Sequence, residues 1–445
     1  MQSRLRVVVS PFRLFAPALL FATLGASSAA VAQTTIKAQR ALTPQQHQGI
    51  LTPEQQEILN HMSIVYLDDG QGGTVKTLRI SAINVQIVNG LEATNGYPAD
   101  PETANEAVTT TNGLGNLIVG YNELGNPAGD DRTGSHNLVV GHGNSFSSFG
   151  GLIGARDSAI SGAYASVTGG FQNTASGVHS SVSGGLDNSS SGNFSWVGGG
   201  RDNAASGVWS SISGGSNGSA SGVYASIGGG IANEASGAFS SISGGMSNTA
   251  SGETSSISGG SENLAEGLWS SVTGGSLNEA RVDHASVTGG HSNFATGVHS
   301  SISGGAFNWT HGLYASVSGG TANTADGEGS SVSGGFINRT AADNCSISGG
   351  SYNVTHGLTS SISGGNYNLT FGQESSVTGG LANKADAYLS TVSGGIFNSA
   401  EGTYSSVSGG RDNTATHESS TVSGGHNRSA TDDYDWVGGS ITEND

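Results

Sequence analysis

From Ser166 onward the chain repeats every fifteen residues with almost no slippage. Copies open Ser166-Val167-Thr168-Gly169-Gly170, Ser181-Val182-Ser183-Gly184-Gly185, Trp196-Val197-Gly198-Gly199-Gly200, and so on to Thr421-Val422-Ser423-Gly424-Gly425. The first and last of these starts lie 255 residues apart, which is seventeen periods and therefore eighteen copies; a partial nineteenth opens at Trp436-Val437. A unit this short cannot bury an apolar face alone and must stack on its neighbours. The spacing therefore predicts an elongated stack, with function on ladders of equivalent surface positions.

Within a copy, numbered 1 to 15 from Ser166, position 2 is always Val or Ile (Val167, Val182, Ile212, Ile227, Val422) and positions 4 and 5 are Gly. Position 8 is Asn except at Gly218 and Arg428, each of which has Asn one place earlier. Position 10 is small, usually Ala or Thr, and position 12 is mostly Gly. A β-branched residue among small ones, closed by glycines, reads as a short strand and a corner. Alternation puts positions 2 and 15 inside and positions 14, 1 and 3 outside. A second strand is expected around position 10. The Asn at position 8 is expected to take a left-handed corner and to bond its own backbone or the Asn of the next coil. The fold class that follows is all-β: a parallel β-solenoid of about eighteen coils. At about 4.8 Å per coil it would run on the order of 85 Å. One sizeable aliphatic per fifteen residues is little apolar burial to set against the entropy of ordering a coil, so packing between chains is expected.

Five segments follow. Residues 1–32 read as a signal peptide: Arg4, Arg6 and Arg13, an apolar run from Leu14 to Ala22, and Ala30-Val31-Ala32 before the cleavage point. Residues 33–50 are polar and Gln-rich, a flexible lead. Residues 51–112 hold a helix opening at Thr52-Pro53-Glu54-Gln55 and reaching about Met62, expected to cap the end of a sheet. A hairpin (63–67 and 74–80) follows, then a strand from Ala82 to Val88 and a linker. Residues 113–165 are degenerate opening coils rich in Leu, Ile and Val, and residues 166–445 are the regular repeats. The Asp68-Asp69-Gly70 loop lacks the later acidic ligands of a calcium loop and is read as a turn.

The composition, 74 Gly but only 7 Pro in 445 residues with a net charge of −18, fits regular corners and argues against binding nucleic acid. The lone Cys345 offers no disulfide framework and falls at inward position 15. No catalytic constellation has convincing spacing, so neither enzyme activity nor a cofactor is expected. His284 and His299 share position 14 of adjacent copies, where zinc is conceivable, but the position prefers rings in general: Phe194, Trp209, Tyr224, Phe239, Trp269, Tyr314 and Tyr404. That ladder is the candidate surface for protein or carbohydrate. A second candidate is the hydroxyl row of positions 1 and 3, including Ser211, Ser213, Ser241, Ser243, Ser256, Ser258, Ser271 and Thr273, which would suit an ice-binding face. Triplets such as Asn338-Arg339-Thr340, Asn353-Val354-Thr355 and Asn368-Leu369-Thr370 match glycan acceptors but are read as products of the repeated Asn.

The units Ser211-Ile212-Ser213-Gly214-Gly215, Asn233-Glu234-Ala235-Ser236-Gly237 and Asn248-Thr249-Ala250-Ser251-Gly252 resemble the YadA-like head repeats of trimeric autotransporter adhesins, over about residues 136–440. The resemblance implies a left-handed parallel β-roll, a homotrimer, and an exported surface or matrix-binding module contacting a host or matrix protein or glycan. The coiled-coil stalk and membrane barrel of that family have no counterpart in this sequence, and its repeat is slightly shorter. No integral membrane anchor is expected, and the extracellular space, the cell surface or the periplasm would be its place.

Overall fold

The computed structural model describes residues 51–438. The signal segment, the polar lead and the last residues, 439–445, lie outside the described residues. The chain divides into two compact units, Met1–Val85 and Gln86–Asp445.

In the first unit, α1 (Pro53–Asn60) opens as the sequence predicts. The Gln55 amide donates to Thr52 Oγ1 and the Thr52 amide donates back to Gln55 Oε1 (3.0 Å), with Pro at the first helical position. The helix buries none of its residues. Strands β1 (Met62–Asp68) and β2 (Thr74–Ile80) pair antiparallel, from Met62 opposite Ile80 to Asp68 opposite Thr74. Asp69 Oδ1 accepts from the Gln71 and Gly73 amides, both at 2.8 Å, and these bonds hold its carboxyl below the usual range. The loop is thus a turn closed by its own carboxylates. The strand expected over residues 82–88 is absent: the segment joins no ladder. Alternation alone makes no strand without a partner.

The second unit begins with turns. Residues expected to be a linker are pinned by side-chain amides: buried Asn95 Nδ2 donates to the Asp100 and Thr103 carbonyls, both at 2.9 Å, and exposed Asn112 Nδ2 to the Asn89 carbonyl at 2.7 Å. The rest is a parallel β-solenoid with three ladders. The first takes Leu117–Val119, Leu138–His142, Leu152–Arg156 and then positions 1 and 2 of every copy to Trp436–Val437. The second takes Ser145–Phe146, Ala159–Ile160 and then positions 9 and 10 to Ser429–Ala430, twenty strands in all. The third, which the sequence reading missed, is a column of single bridges at position 6, such as Phe171 with Leu186 and Leu186 with Arg201. From Ser166 onward the register is fifteen, as in Val182 with Val197 and Ala205 with Ala220, whereas the opening coils of the first ladder pair at other offsets: Leu138 with Leu152 and Leu152 with Ser166, fourteen apart, and Leu117 with Leu138, twenty-one apart. The stack has about twenty turns where eighteen were counted, because the degenerate opening coils pair as full members.

Positions 2, 8, 10 and 15 point inward. The interior is therefore a column of Val or Ile, a column of Ala, Thr or Ser, and a column of Asn. The Asn bonds the neighbouring Asn and nearby backbone as expected, but it does not take the left-handed corner. Its amide is buried as a rung. The Asn188 amide N–H donates to Asn173 Oδ1 (3.0 Å), while Asn188 Nδ2 donates to the Gly184 carbonyl (3.1 Å) and to the Gly200 carbonyl of the next coil (3.0 Å). The same set recurs up the rod and gives the buried Asn amides their partners.

The left-handed residues are positions 7 and 14 instead, with φ near +55° in coil after coil (Asp187 +54°, Phe194 +59°, Asp202 +55°, Trp209 +61°). The ladder geometry imposes this. The N–H groups at positions 1, 3, 6, 9 and 11 point up the stack, as from Ser181 to the Ser195 carbonyl at 3.0 Å. At the two corners the N–H points down: Asp187 donates to the Phe171 carbonyl (3.1 Å) and Phe194 to the Val178 carbonyl (2.8 Å). Reversing the peptide requires the left-handed well, which costs roughly 1 kcal/mol or more for a residue with a side chain. The interlocked bonds above and below hold it there. Of the two glycines, only the second is demanded. A Cβ on Gly305 (φ +86°) would stand 2.1 Å from the Gly320 carbonyl oxygen, whereas one on Gly304 would meet open space.

The opening coils have a different filling. Phe146, Phe149, Ile153 and Ile160 are buried there, and the inward Asn column begins beside them at Asn137 and Asn144.

Candidate functional site

The position-14 rings do form a column, and it is longer than the seven predicted residues suggest. Tyr164, His179, Phe194, Trp209, Tyr224 and Phe239 stack in sequence with centroid separations of 5.0, 5.1, 4.1, 6.1 and 5.0 Å, all within 14° of parallel. Tyr164 and His179 were not among the predicted ladder residues; their phase in the repeat was the available signal. Thr254 ends this column. Trp269 stands beyond it and joins no stack. Tyr314 closes a shorter column with His284 and His299 at 4.4 and 5.1 Å. Tyr404 meets Tyr388 edge-on at 5.7 Å.

Stacking decides what these rings present. Coil spacing puts each ring face against the next, so the faces are used along the rod and the edges look outward. Phe194, Trp209, Tyr224 and Phe239 remain 41%, 47%, 48% and 53% exposed, beside exposed Val208 and Val223 at position 13. A pyranose needs an open ring face. A stripe of ring edges and valines suits another apolar protein surface better.

Rings also gather on other edges of the rod. Phe294 and Trp309, both at position 9, stack at 4.1 Å. Tyr352 and Tyr367, at left-handed position 7, stack at 4.7 Å. Lys384 Nζ lies 5.2 Å from the Phe371 ring centre, a cation–π contact.

The hydroxyl row lies on the first ladder. Ser211, Ser241, Ser256 and Ser271 are half-buried, and Ser213, Ser243, Ser258 and Thr273 are exposed. No copy carries a charge at positions 1 to 5. Trp196 interrupts the row: its indole lies over Gly198 and donates from Nε1 to Ser183 Oγ at 3.2 Å. Between Ser211 and Ser243 the row dips where Gly228 replaces a hydroxyl residue.

The remaining candidates are structural. His284 and His299 lie face to face, and among the described residues no three His, Cys, Asp or Glu side chains gather to hold a metal. His136 borders a depression of about 400 Å³ with Asn89 and Thr94, but both its ring nitrogens are taken, by the Asn89 amide and the Thr94 carbonyl, each at 3.2 Å. Cys345 is buried with Sγ 2.9 Å from the Gly357 carbonyl. Asn338, Asn353 and Asn368 are buried rungs whose Nδ2 atoms already bond two carbonyls each, so the folded chain offers no glycan acceptor there.

The fold defines a class: an all-β parallel solenoid that presents ladders of rings and hydroxyls on its outside. Comparison with protein-family models gives no match, and comparison with curated proteins gives none.

Proposed function

We propose that this chain is an exported, non-enzymatic interaction rod, similar in use to the heads of trimeric adhesins, acting outside the cell as a homotrimer. The observation that carries the reading is the stripe of ring edges and valines from Tyr164 to Phe239. It offers an exposed apolar surface repeated at coil spacing, of the kind that supplies binding hot spots. The matching repeat units and the basic, then apolar, N-terminal segment support export and a surface role. The net charge of −18 disfavours nucleic acid as a partner. A matrix or host protein fits better than a glycan because the ring faces are already covered. The test is solid-phase binding of the purified chain to a panel of matrix proteins and glycans. Trp209→Ala with Tyr224→Ala should weaken capture by about tenfold or more. No binding across the panel, or binding indifferent to that pair, sinks the reading.

A second reading, an ice-binding solenoid, is favoured by one observation: the uncharged first-ladder face with two hydroxyl rows. Thermal hysteresis and ice shaping by the same preparation would establish it, and their loss on Ser243→Lys would locate it on that face.

A further inference from the structure

Among the described residues of the first unit, 51–85, none is buried. Eleven large apolar side chains are exposed there: Ile64 and Leu78 at 53% each, Tyr66 at 65%, Val85 at 64%, and others on α1 and both strands. Yet the hairpin keeps all seven residue pairs in register. A two-stranded hairpin alone is marginal in water and needs a third strand or a packed face. The pairing puts Met62, Ile64, Tyr66, Leu78 and Ile80 on one face, where the charges are Asp68 and Lys76, opposite in sign and near the turn. Beyond β2 the sequence continues to alternate, Ile83-Asn84-Val85, in strand fashion but with no ladder partner among the described residues. Local preference and the fold of a single chain disagree here, which marks an element completed from outside.

We propose that residues 62–85 are a self-assembly module, in which the Met62/Ile64/Leu78/Ile80 face of one copy packs on the same face of another. On that face Ile64, Tyr66, Leu78 and Ile80 are 53%, 65%, 53% and 43% exposed, on the order of 450 Å² of apolar area per copy, the size of a small interface between two copies rather than the ~800 Å² per partner of a standard one. The few charges on the face are balanced, so two copies meet there without the repulsion that a net −18 per chain creates elsewhere. Assembly then resides in the N-terminal unit, and the outward ladders of the solenoid stay free for other contacts. The proposal does not rest on the binding reading and stands or falls apart from it.

The test is sedimentation equilibrium of the full chain, 44.3 kDa per copy. The parent should run as a multiple of that mass. Ile64→Asp with Leu78→Asp should run as one chain, its dissociation constant raised ~100-fold or more, with the solenoid's circular dichroism and melting unchanged. A monomeric parent overturns the proposal, and so does a variant that keeps the parent mass. If the double variant misfolds, single cysteines decide. Ile64→Cys should form an interchain disulfide on oxidation and Ser333→Cys on the rod should not, Cys345 being buried. No crosslink at Ile64→Cys, or equal crosslinking at both, overturns the proposal.

Discussion

The opening coils and the regular coils build the same cross-section with different fillings. Around Phe146, Phe149, Ile153 and Ile160 the interior is apolar volume. From Asn173 upward it is one Val or Ile, small residues and a ladder of amides. In the first region stability scales with side-chain volume removed from water. In the second, much of it comes from the buried, partnered Asn amides, where the cost lies in leaving them unpaired.

The contrast is sharpest where chemistry and size pull apart. Asn308→Leu keeps the volume and adds hydrophobicity. It also removes the bonds of Asn308 to Asn293 Oδ1, the Gly304 carbonyl and the Gly320 carbonyl, and its acceptance from the Asn323 amide. It should cost about 4–6 kcal/mol locally, read as lost hydrogen-exchange protection in the coils on either side. A loss below ~1 kcal/mol would mean that the regular coils, too, are held by apolar burial.

Next comes Phe146→Ala, expected to cost about 3–4 kcal/mol in guanidinium unfolding, with Phe146→Leu under ~1.5 because volume is what that region requires. Equal costs for the two would erase the distinction. Gly218 is the natural broken rung. Asn203 Oδ1 still accepts its amide N–H at 2.8 Å, but no side chain bridges onward to the Asn233 amide. Gly218→Asn should stabilise by about 1–2 kcal/mol, measured as a shift in unfolding midpoint. The smallest effect belongs to Ser255, a buried hydroxyl with no partner in a column where Ala225 and Ala285 occupy equivalent places. Ser255→Ala should be neutral or stabilising by up to ~1 kcal/mol in the same assay.

The period, the inward face of positions 2 and 15, and the second strand at position 10 were legible because each follows from residue type and alternation. The left-handed corners were not. Trp209, Tyr224 and Phe307 are not residues that choose that backbone well, and the reason they occupy it is the reversed bond to the coil below, which is non-local. Asp187, Asp202, Asn217 and Asp412 at position 7 were the visible hint. The Asn rungs were half legible: contact with the next Asn was foreseen, the buried placement was not. The aromatic column was legible from its phase. That its faces are spent on each other required coordinates. At residues 82–88 the expected strand does not form, because the segment pairs with no neighbour among the described residues.

The opening coils carry a consequence for folding. Because the rungs above Ser166 are nearly interchangeable, a strand mispaired by a whole repeat would find almost the same neighbours. Such a slip would leave a loop but little local penalty to correct it. Phe146 and Phe149, which no later coil reproduces, supply the zero mark from which turns are counted. A chain that emerges from synthesis N-terminus first presents that mark before the ambiguous part, so winding can proceed upward one coil at a time, each docking on a finished edge.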